Sequence, residues 1–490
     1  MTEASNDIPN LLGADLRETL ARLDQVDQLE RIEGAHWDLE LGGITELMAL
    51  RNGPALLFDR IADYPEGHRV VTNLLNNPAR TAVLMGLDPS THPLQTVRAI
   101  QKLYANPKHH KPVFVEQGTF AEVERFGDDV DLLSLPVPKF HELDGGRYLG
   151  TACSVIMKDP DSGVVNVGTY RMMVHDERTL GLVIRRAHHG SMIMRKYWER
   201  GEPAPVAAAI GTRTNVLFAS FAGVPWGTSE YEWASGLTNE PVELVEGPVA
   251  GLPLPASAEI IIEGSVPPED TRREVEGPFG EVFGYYASGA EEHAVIEVEA
   301  MYHREDPILL GSPPMRPPAS SNATYMFYAA NLWTELERIG VPEVRGVWML
   351  PTGASSLLRV ISIKQQYPGH AIQAGLAALS GRTGAGQIGR FIIVVDEDID
   401  PSNQDEVLWA IATRCDPEAD VQVIRHQVSS GLDPRLEPEK RRSGDMSSSR
   451  AIIDACRPYH WRNEFPPSTG VSREFAEKLL ADWPQLFGAP

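Results

Sequence analysis

The stretch Tyr148-Leu-Gly-Thr-Ala-Cys-Ser-Val-Ile-Met157, followed by Val164-Val-Asn-Val-Gly-Thr-Tyr-Arg-Met-Met-Val-His175, is dense in strand-forming residues. Runs of this composition, separated by Asp, Pro, Ser and Gly, read as strands. Similar runs recur at Val216 to Phe221, Glu259 to Glu263 and Ala294 to Tyr302. Helical spacing interrupts them at Met192 to Glu199 and near Glu230 to Gly236. Several strands with few helices over about 180 residues predict a mainly antiparallel sheet or split barrel.

The pattern differs on either side. Leu16 to Leu29 places apolar residues at helical spacing among charges, and Pro54 to Phe58 reads as a short buried strand. Leu132 to Pro138 is punctuated by proline and reads as a connection. Gly311 to Asn322, rich in Pro and Ser, reads as a loop or boundary, and Tyr325 to Ile339 as a long helix. Val347 to Leu350, Ala371 to Ser380, Phe391 to Val395, Gln404 to Arg414 and Val421 to Ile424 then alternate strand and helix. That alternation predicts a second, α/β domain. Glu437 to Ser449 is polar and basic and reads as exposed or mobile, and Ser472 to Trp483 as a terminal helix.

Composition narrows the classes of function. A chain of 490 residues is long enough for two or three domains. Its 44 basic and 68 acidic residues give a net charge of −24, which argues against binding nucleic acid or a membrane surface. A locally basic pocket for a small anion is still compatible with that charge. Cys153, Cys415 and Cys456 form no CxxC pair, so neither a disulfide framework nor a thiolate zinc site is expected. The first residues lack the regions of a signal peptide, and no run approaches a membrane span. The expected location is the cytoplasm.

Five features bear on chemistry. Gly384-Ala-Gly-Gln-Ile-Gly389 matches a dinucleotide fingerprint, but it follows a predicted helix and precedes a predicted strand. That is the reverse of what a phosphate-binding turn needs, so it reads as a simple connection. Asn166 and Arg171 lie an odd number of steps apart and would face opposite sides of one strand. A kink at Gly168 would let both serve one cavity; otherwise Arg171 reads as a structural ion pair. His188, in Ile184-Arg-Arg-Ala-His-His-Gly190, and Glu230, in Gly227-Thr-Ser-Glu-Tyr-Glu232, are each compatible with a surface role. Taken with Asn166, they supply an imidazole, a carboxylate and an amide oxygen, a set suited to Mn²⁺ or a similar cation. Glu276-Gly-Pro-Phe-Gly-Glu281 places two carboxylates on a preset turn. Carboxylates crowded into a dry site hold protons more tightly than those in water, as a proton donor near neutral pH requires. A charged surface turn is the other reading.

In this order the motifs resemble the UbiD family of prenylated-FMN-dependent decarboxylases, over nearly the whole chain. The landmarks are Asp144-Gly-Gly-Arg-Tyr148, Asn166 to Arg171, His188, Ser229-Glu-Tyr231, Pro255-Ala-Ser-Ala-Glu-Ile260, Glu276 to Glu281 with Gly284-Tyr285, Phe391 to Pro401, and Ser449-Arg-Ala-Ile-Ile-Asp-Ala455. The resemblance implies an α+β and α/β fold. Residues 1–322 would form a flavin-binding catalytic domain with a split β-barrel core within 115–310, and 323–340 a linking helix. Residues 341–470 would form an α/β dimerisation domain, and 471–490 a C-terminal helix. It implies that Asn166, His188 and Glu230 bind Mn²⁺ (or Mg²⁺), with K⁺ nearby and Ser220 contributing. Tyr170, Arg171, Ala187 and Arg450 would join them around prenylated FMN. Arg171, Glu276 and Glu281 would be the catalytic network, with Glu281 protonating after CO₂ leaves and Arg171 holding the substrate carboxylate and pairing with Glu276.

The implied activity is reversible decarboxylation of a small aromatic or heteroaromatic carboxylic acid by a homodimer, with cofactor supplied by a separate flavin prenyltransferase. Phenazine-, indole-, pyrrole- and furan-carboxylates are candidates, and a cinnamic-type acid is the close alternative. A flavin-free metal-dependent hydrolase and a flavin-binding protein without turnover are alternatives of other classes. Arg450 stands where Lys is more usual, and the two are not interchangeable at a phosphate or loop contact. Ala187 and Val282 are small, which predicts a roomy pocket for a bulky or bicyclic acid.

Overall fold

The computed structural model describes residues 10–487 apart from 106, 187, 288, 320–323, 355 and 381–388. Its architecture is mixed α/β. The centre is a ten-stranded sheet among the described residues. Its main path runs Arg147–Gly150, Met172–Val174, Thr179–Leu182, Glu291–His303, Ile260–Val266, Ala204–Ile210, Cys153–Lys158, Val165–Gly168. Every pairing along the path is antiparallel. Val123–Phe126 and Arg273–Glu276 add to the long strand Glu291–His303.

This order fixes the shape. Val165–Gly168 ends the path on one side, while Met172–Val174 lies next to the opposite end. Only residues 169–171 separate them in sequence. The chain also passes from Arg147–Gly150, at that opposite end, to Cys153–Lys158 through Thr151 and Ala152. An extended chain covers at most about 3.6 Å per residue, so two such short crossings require the sheet's ends to lie close. The sheet is therefore curled into a half-barrel with a seam, and the chain crosses the seam at 151–152 and again at 169–171.

A four-stranded sheet covers one flank: Leu29–Glu33, Ala55–Asp59, Arg69–Thr72 and, from far along the chain, Ile308–Leu310. Glu259 ties these parts together. Its buried carboxylate pairs with Arg17 at 2.8 Å and Arg304 at 3.2 Å, and accepts from the Ile308 N–H at 3.2 Å. Helix Thr324–Arg338, with Leu332, Trp333 and Leu336 buried, packs on Pro93–Ala105 and on Val344–Met349. A five-stranded sheet follows in the order Val344–Met349, Leu358–Ile363, Phe391–Asp396, Ser447–Ala455, Val421–Val428. Among the described residues no helix is long and apolar enough to cross a membrane.

The elements correct several sequence readings. Val216 to Phe221, expected as a strand, lies in helix Thr214–Phe221. Six of the eight residues in that helix are buried, so it carries no periodic polar face, and a short apolar run cannot reveal its own period. Glu437 to Ser449, expected as exposed or mobile, is exposed or half-buried throughout, but it is not without structure: it contains helix Pro438–Ser443 and the start of interior strand Ser447–Ala455. Ladder hydrogen bonds to neighbours on both sides hold its polar residues in place. Strand Ala204–Ile210 has no local strand signature, because its alanines carry little strand preference; burial between two neighbours decides it. Residues 384–388 of the glycine-rich connection lie outside the described residues.

Candidate active site

The seam carries two clusters, and Tyr170 and Arg171 divide them. Neighbouring side chains on extended backbone point opposite ways. The Tyr170 hydroxyl donates to Asn166 Oδ1 at 3.2 Å and accepts from the Gly190 N–H at 3.2 Å. Arg171 faces Glu276 and Glu281. The strand bearing Asn166 ends at Gly168, and Arg171 pairs across with Val183. The expected kink is thus a departure of the chain from one end of the sheet to the other.

In the first cluster Arg171 Nη2 donates to Glu276 Oε2 at 2.6 Å, and Nη1 to Glu281 Oε1 at 3.0 Å. Burial opposes the Arg171 charge, but the two carboxylates outweigh it and its pKa is raised. The Glu276 side chain is fully buried at the end of strand Arg273–Glu276, and that of Glu281 is 11% exposed. Between them Gly277 takes φ +94°, a conformation that favours glycine. Phe279 is buried against Phe140, Tyr148 and Met173 and lies under the Arg171 guanidinium, 5.0 Å from ring centroid to Cζ. Glu281 then opens onto a cavity of about 410 Å³, walled by Leu39, Phe140, His141, Tyr285, Met315 and Arg316 among others.

The second cluster lines a separate cavity of about 340 Å³. Glu230, first residue of helix Glu230–Thr238, accepts from Asn166 Nδ2 at 2.9 Å and from the Val167 N–H at 2.8 Å. No Lys or Arg pairs with it among the described residues, and burial pushes its carboxyl up to about 7. A buried carboxylate without a cation is costly, so this one fits a site completed by a bound cation. His188 lines the same cavity, and burial, then the neighbouring Arg185 and His189, lower its pKa. The neutral imidazole is the ligating form. His188 is also the N-cap of helix His189–Trp198 and makes no side-chain capping bond; His188 and His189 line the cavity, while the Gly190 N–H donates to the Tyr170 hydroxyl. An exposed helix start of this kind suits an anion such as a phosphate. Ser220 is in the wall, with its hydroxyl bonded to Ser154 Oγ at 2.8 Å and Val216 O at 3.0 Å.

Of three other expected residues, two lie away from both cavities. Arg450 lies on strand Ser447–Ala455, bonded to Val428 O at 2.9 Å, and lines neither cavity. Ala187 lies outside the described residues. Val282 is 45% exposed and is in neither cavity wall, so its size does not widen the pocket. Tyr285, in the Gly284-Tyr285 landmark, proves to be a cavity residue; sequence reasoning missed the roles of Phe279 and of the cavity residues His141 and Arg316. An aromatic between two glycines was the signal for Phe279; the others come from separate segments and leave no local pattern.

Comparison with known proteins agrees with this architecture. Three models of 3-octaprenyl-4-hydroxybenzoate carboxy-lyase match in sequence order. They are the N-terminal domain at 20–100, the Rift-related domain at 113–317 and the C-terminal domain at 322–455. The chain belongs to the UbiD family and is a carboxy-lyase. It is 31% identical to a phenolic acid decarboxylase of Bacillus subtilis, over 91% of this chain and 92% of the relative. It is also 31% identical to a pyrrole-2-carboxylic acid decarboxylase of Pseudomonas aeruginosa, over 89% of each. The UbiD-class enzyme HmfF from Pelotomaculum thermopropionicum, solved with FMN, superposes with a TM-score of 0.82 at 32% identity, covering 96% of this chain and 100% of that one. An evolved dimeric form of it, solved with prFMN, gives 0.79 at 30% identity, covering 96% and 99%.

The Arg171 arrangement has a consequence for stability. Arg171→Met would leave the Glu276 carboxylate buried without its cation and should destabilise the protein by about 3–5 kcal/mol. Adding Glu276→Gln should recover part of that loss, as read by thermal denaturation of the two variants. Equal melting temperatures for wild type and Arg171→Met would contradict it.

Proposed function

We propose that this chain is a reversible, non-oxidative decarboxylase of an aromatic or heteroaromatic carboxylic acid, working with prenylated FMN. The observation that carries the reading is Arg171 held between Glu276 and Glu281, with Glu281 opening onto a cavity large enough for a ring acid. The names of the relatives, phenolic acid and pyrrole-2-carboxylic acid decarboxylases, support the substrate class.

Prenylated FMN, when bound, would supply the electron sink for the carbon that loses CO₂, which no side chain offers. Asn166, His188 and Glu230 would hold Mn²⁺ (or Mg²⁺), which would offset the charge of the flavin phosphate; Ser220 would contribute to a K⁺ site, and the start of helix His189–Trp198 would favour the same anion. Tyr170 would orient Asn166 through its hydroxyl. Arg171 would hold the substrate carboxylate by charge and hydrogen bonds. Glu276, fully buried, would keep the guanidinium in place. Glu281 would deliver the proton to the ring carbon after CO₂ departs, and the apolar wall of Leu39, Phe140 and Met315 would exclude water from that step. The chain would take its modified flavin from a separate prenyltransferase. A homodimer fits the edge strand Val421–Val428, which exposes Val423 and Val428.

Four measurements test these points. Holoenzyme is screened for CO₂ release on pyrrole-2-carboxylic, vanillic, 3,4-dihydroxybenzoic, furan-, indole- and phenazine-carboxylic acids, with cinnamic acid as the alkenoic comparison. Glu281→Gln should keep the flavin absorption spectrum and lower turnover of the best acid by about 10²–10⁴-fold, the range for a positioned general acid; undiminished turnover would refute the proton-donor role. Glu230→Gln should weaken Mn²⁺ retention, read by elemental analysis after dialysis, by at least about tenfold. Equal metal content in variant and wild type would remove Glu230 from the ligand set. Light scattering of the purified chain should give twice the monomer mass, and a monomer would reject the dimer.

A further inference from the structure

Asp144-Gly-Gly-Arg-Tyr148 supplies no group to the chemistry proposed above, yet it seats the segment that carries Glu281. The Asp144 side chain is fully buried. Its Oδ1 accepts from the Gly280 N–H at 3.3 Å and from the Tyr286 hydroxyl at 3.1 Å. Its Oδ2 accepts from the His141 N–H at 3.1 Å and faces His141 Nδ1 at 3.4 Å. Gly280 and Tyr286 bracket Glu281, so one carboxylate oxygen pins both ends of a short loop. Inside the loop the Glu281 N–H donates to Tyr285 O at 3.0 Å, and the Gly284 N–H to Glu281 O at 2.8 Å.

The neighbouring residues reinforce this seat. The Gly145 N–H donates to Pro278 O at 2.8 Å, and the Tyr148 hydroxyl to the same oxygen at 3.3 Å. A Cβ at Gly145 would lie 2.0 Å from Gly277 O, so only glycine admits this approach. Asp144 has no Lys or Arg partner among the described residues. Burying a carboxylate without such a partner costs stability. Two of its three hydrogen-bond donors belong to the Glu281 loop, so the cost coincides with holding that loop in one geometry.

We infer that Asp144 is a positioning residue for the reaction, fixing Glu281 between Arg171 and the substrate cavity through Gly280 and Tyr286. This rests on the reading of Glu281 as proton donor. Errors of about 1 Å in the placement of a reacting group cost up to about a hundredfold in rate.

The test uses holoenzyme carrying Asp144→Asn, Asp144→Ala or Tyr286→Phe, assayed on the acid of the panel that is turned over fastest. In the Asp144 variants kcat should fall about tenfold to a hundredfold, with KM and the bound-flavin spectrum unchanged. The solvent deuterium isotope effect on kcat should rise as proton delivery becomes limiting, a readout that a merely structural role would not move. Tyr286→Phe should shift both in the same direction by less. A folded Asp144→Ala variant with wild-type kcat and isotope effect overturns the inference. Should the Asp144 variants fail to fold, Tyr286→Phe decides, and wild-type values there overturn it equally. Full activity in Glu281→Gln removes the proton-donor reading itself; an inactive Glu281→Gln beside a normal Asp144→Ala removes only the positioning role.

Discussion

The guanidinium of Arg171 is the charge on which the site depends. It is shared between two carboxylates that come from 105 and 110 residues further along the chain. Without it, Glu276 and Glu281 would repel each other in a poorly hydrated interior, where Coulomb energies are large. With it, one cation donates a charge-assisted hydrogen bond to each carboxylate, with the Phe279 ring beneath the group. A buried ion pair is a weak source of stability and a strong source of geometry. The arrangement makes sense as a way to hold Glu281 at a cavity wall.

That charge can sit there only because the sheet curls. Asn166 lies on the strand at one end of the hydrogen-bonded path, and Arg171 is the last residue of the three-residue crossing that leads to the strand next to the other end. The crossing gives adjacent residues separate tasks: Tyr170 turns to Asn166 and the second cavity, and Arg171 turns to the glutamates. A flat sheet would put the two clusters many strands apart. The seam puts them on either side of one peptide unit.

Around this centre, motifs that look alike in sequence divide into different duties. Glu259 and Glu230 are both buried glutamates with backbone donors. Glu259 has Arg17 and Arg304 and joins the sheets. Glu230 has no such cation, and its carboxyl is held up near 7 by burial. The first is complete within the described chain, and the second has the character of half a binding site.

The sequence by itself determined the class of elements and the chemistry of the main residues. Helices such as Gln404 to Arg414 and strands such as Phe391 to Val395 were legible because local periodicity and composition report local structure. The ordered motifs carried the family. Tertiary structure alone decided the rest. Helix Thr214–Phe221 and strand Ala204–Ile210 are set by burial on all sides, which erases the periodic signal. Asp144 and Phe279 gain their duties from contacts more than 100 residues away, and the wall of the larger cavity is drawn from four distant segments. Residue spacing along a chain encodes the turns of a helix and the alternation of a strand. It does not encode how far a sheet twists before its ends meet, and that closure is what places Arg171 between its two glutamates.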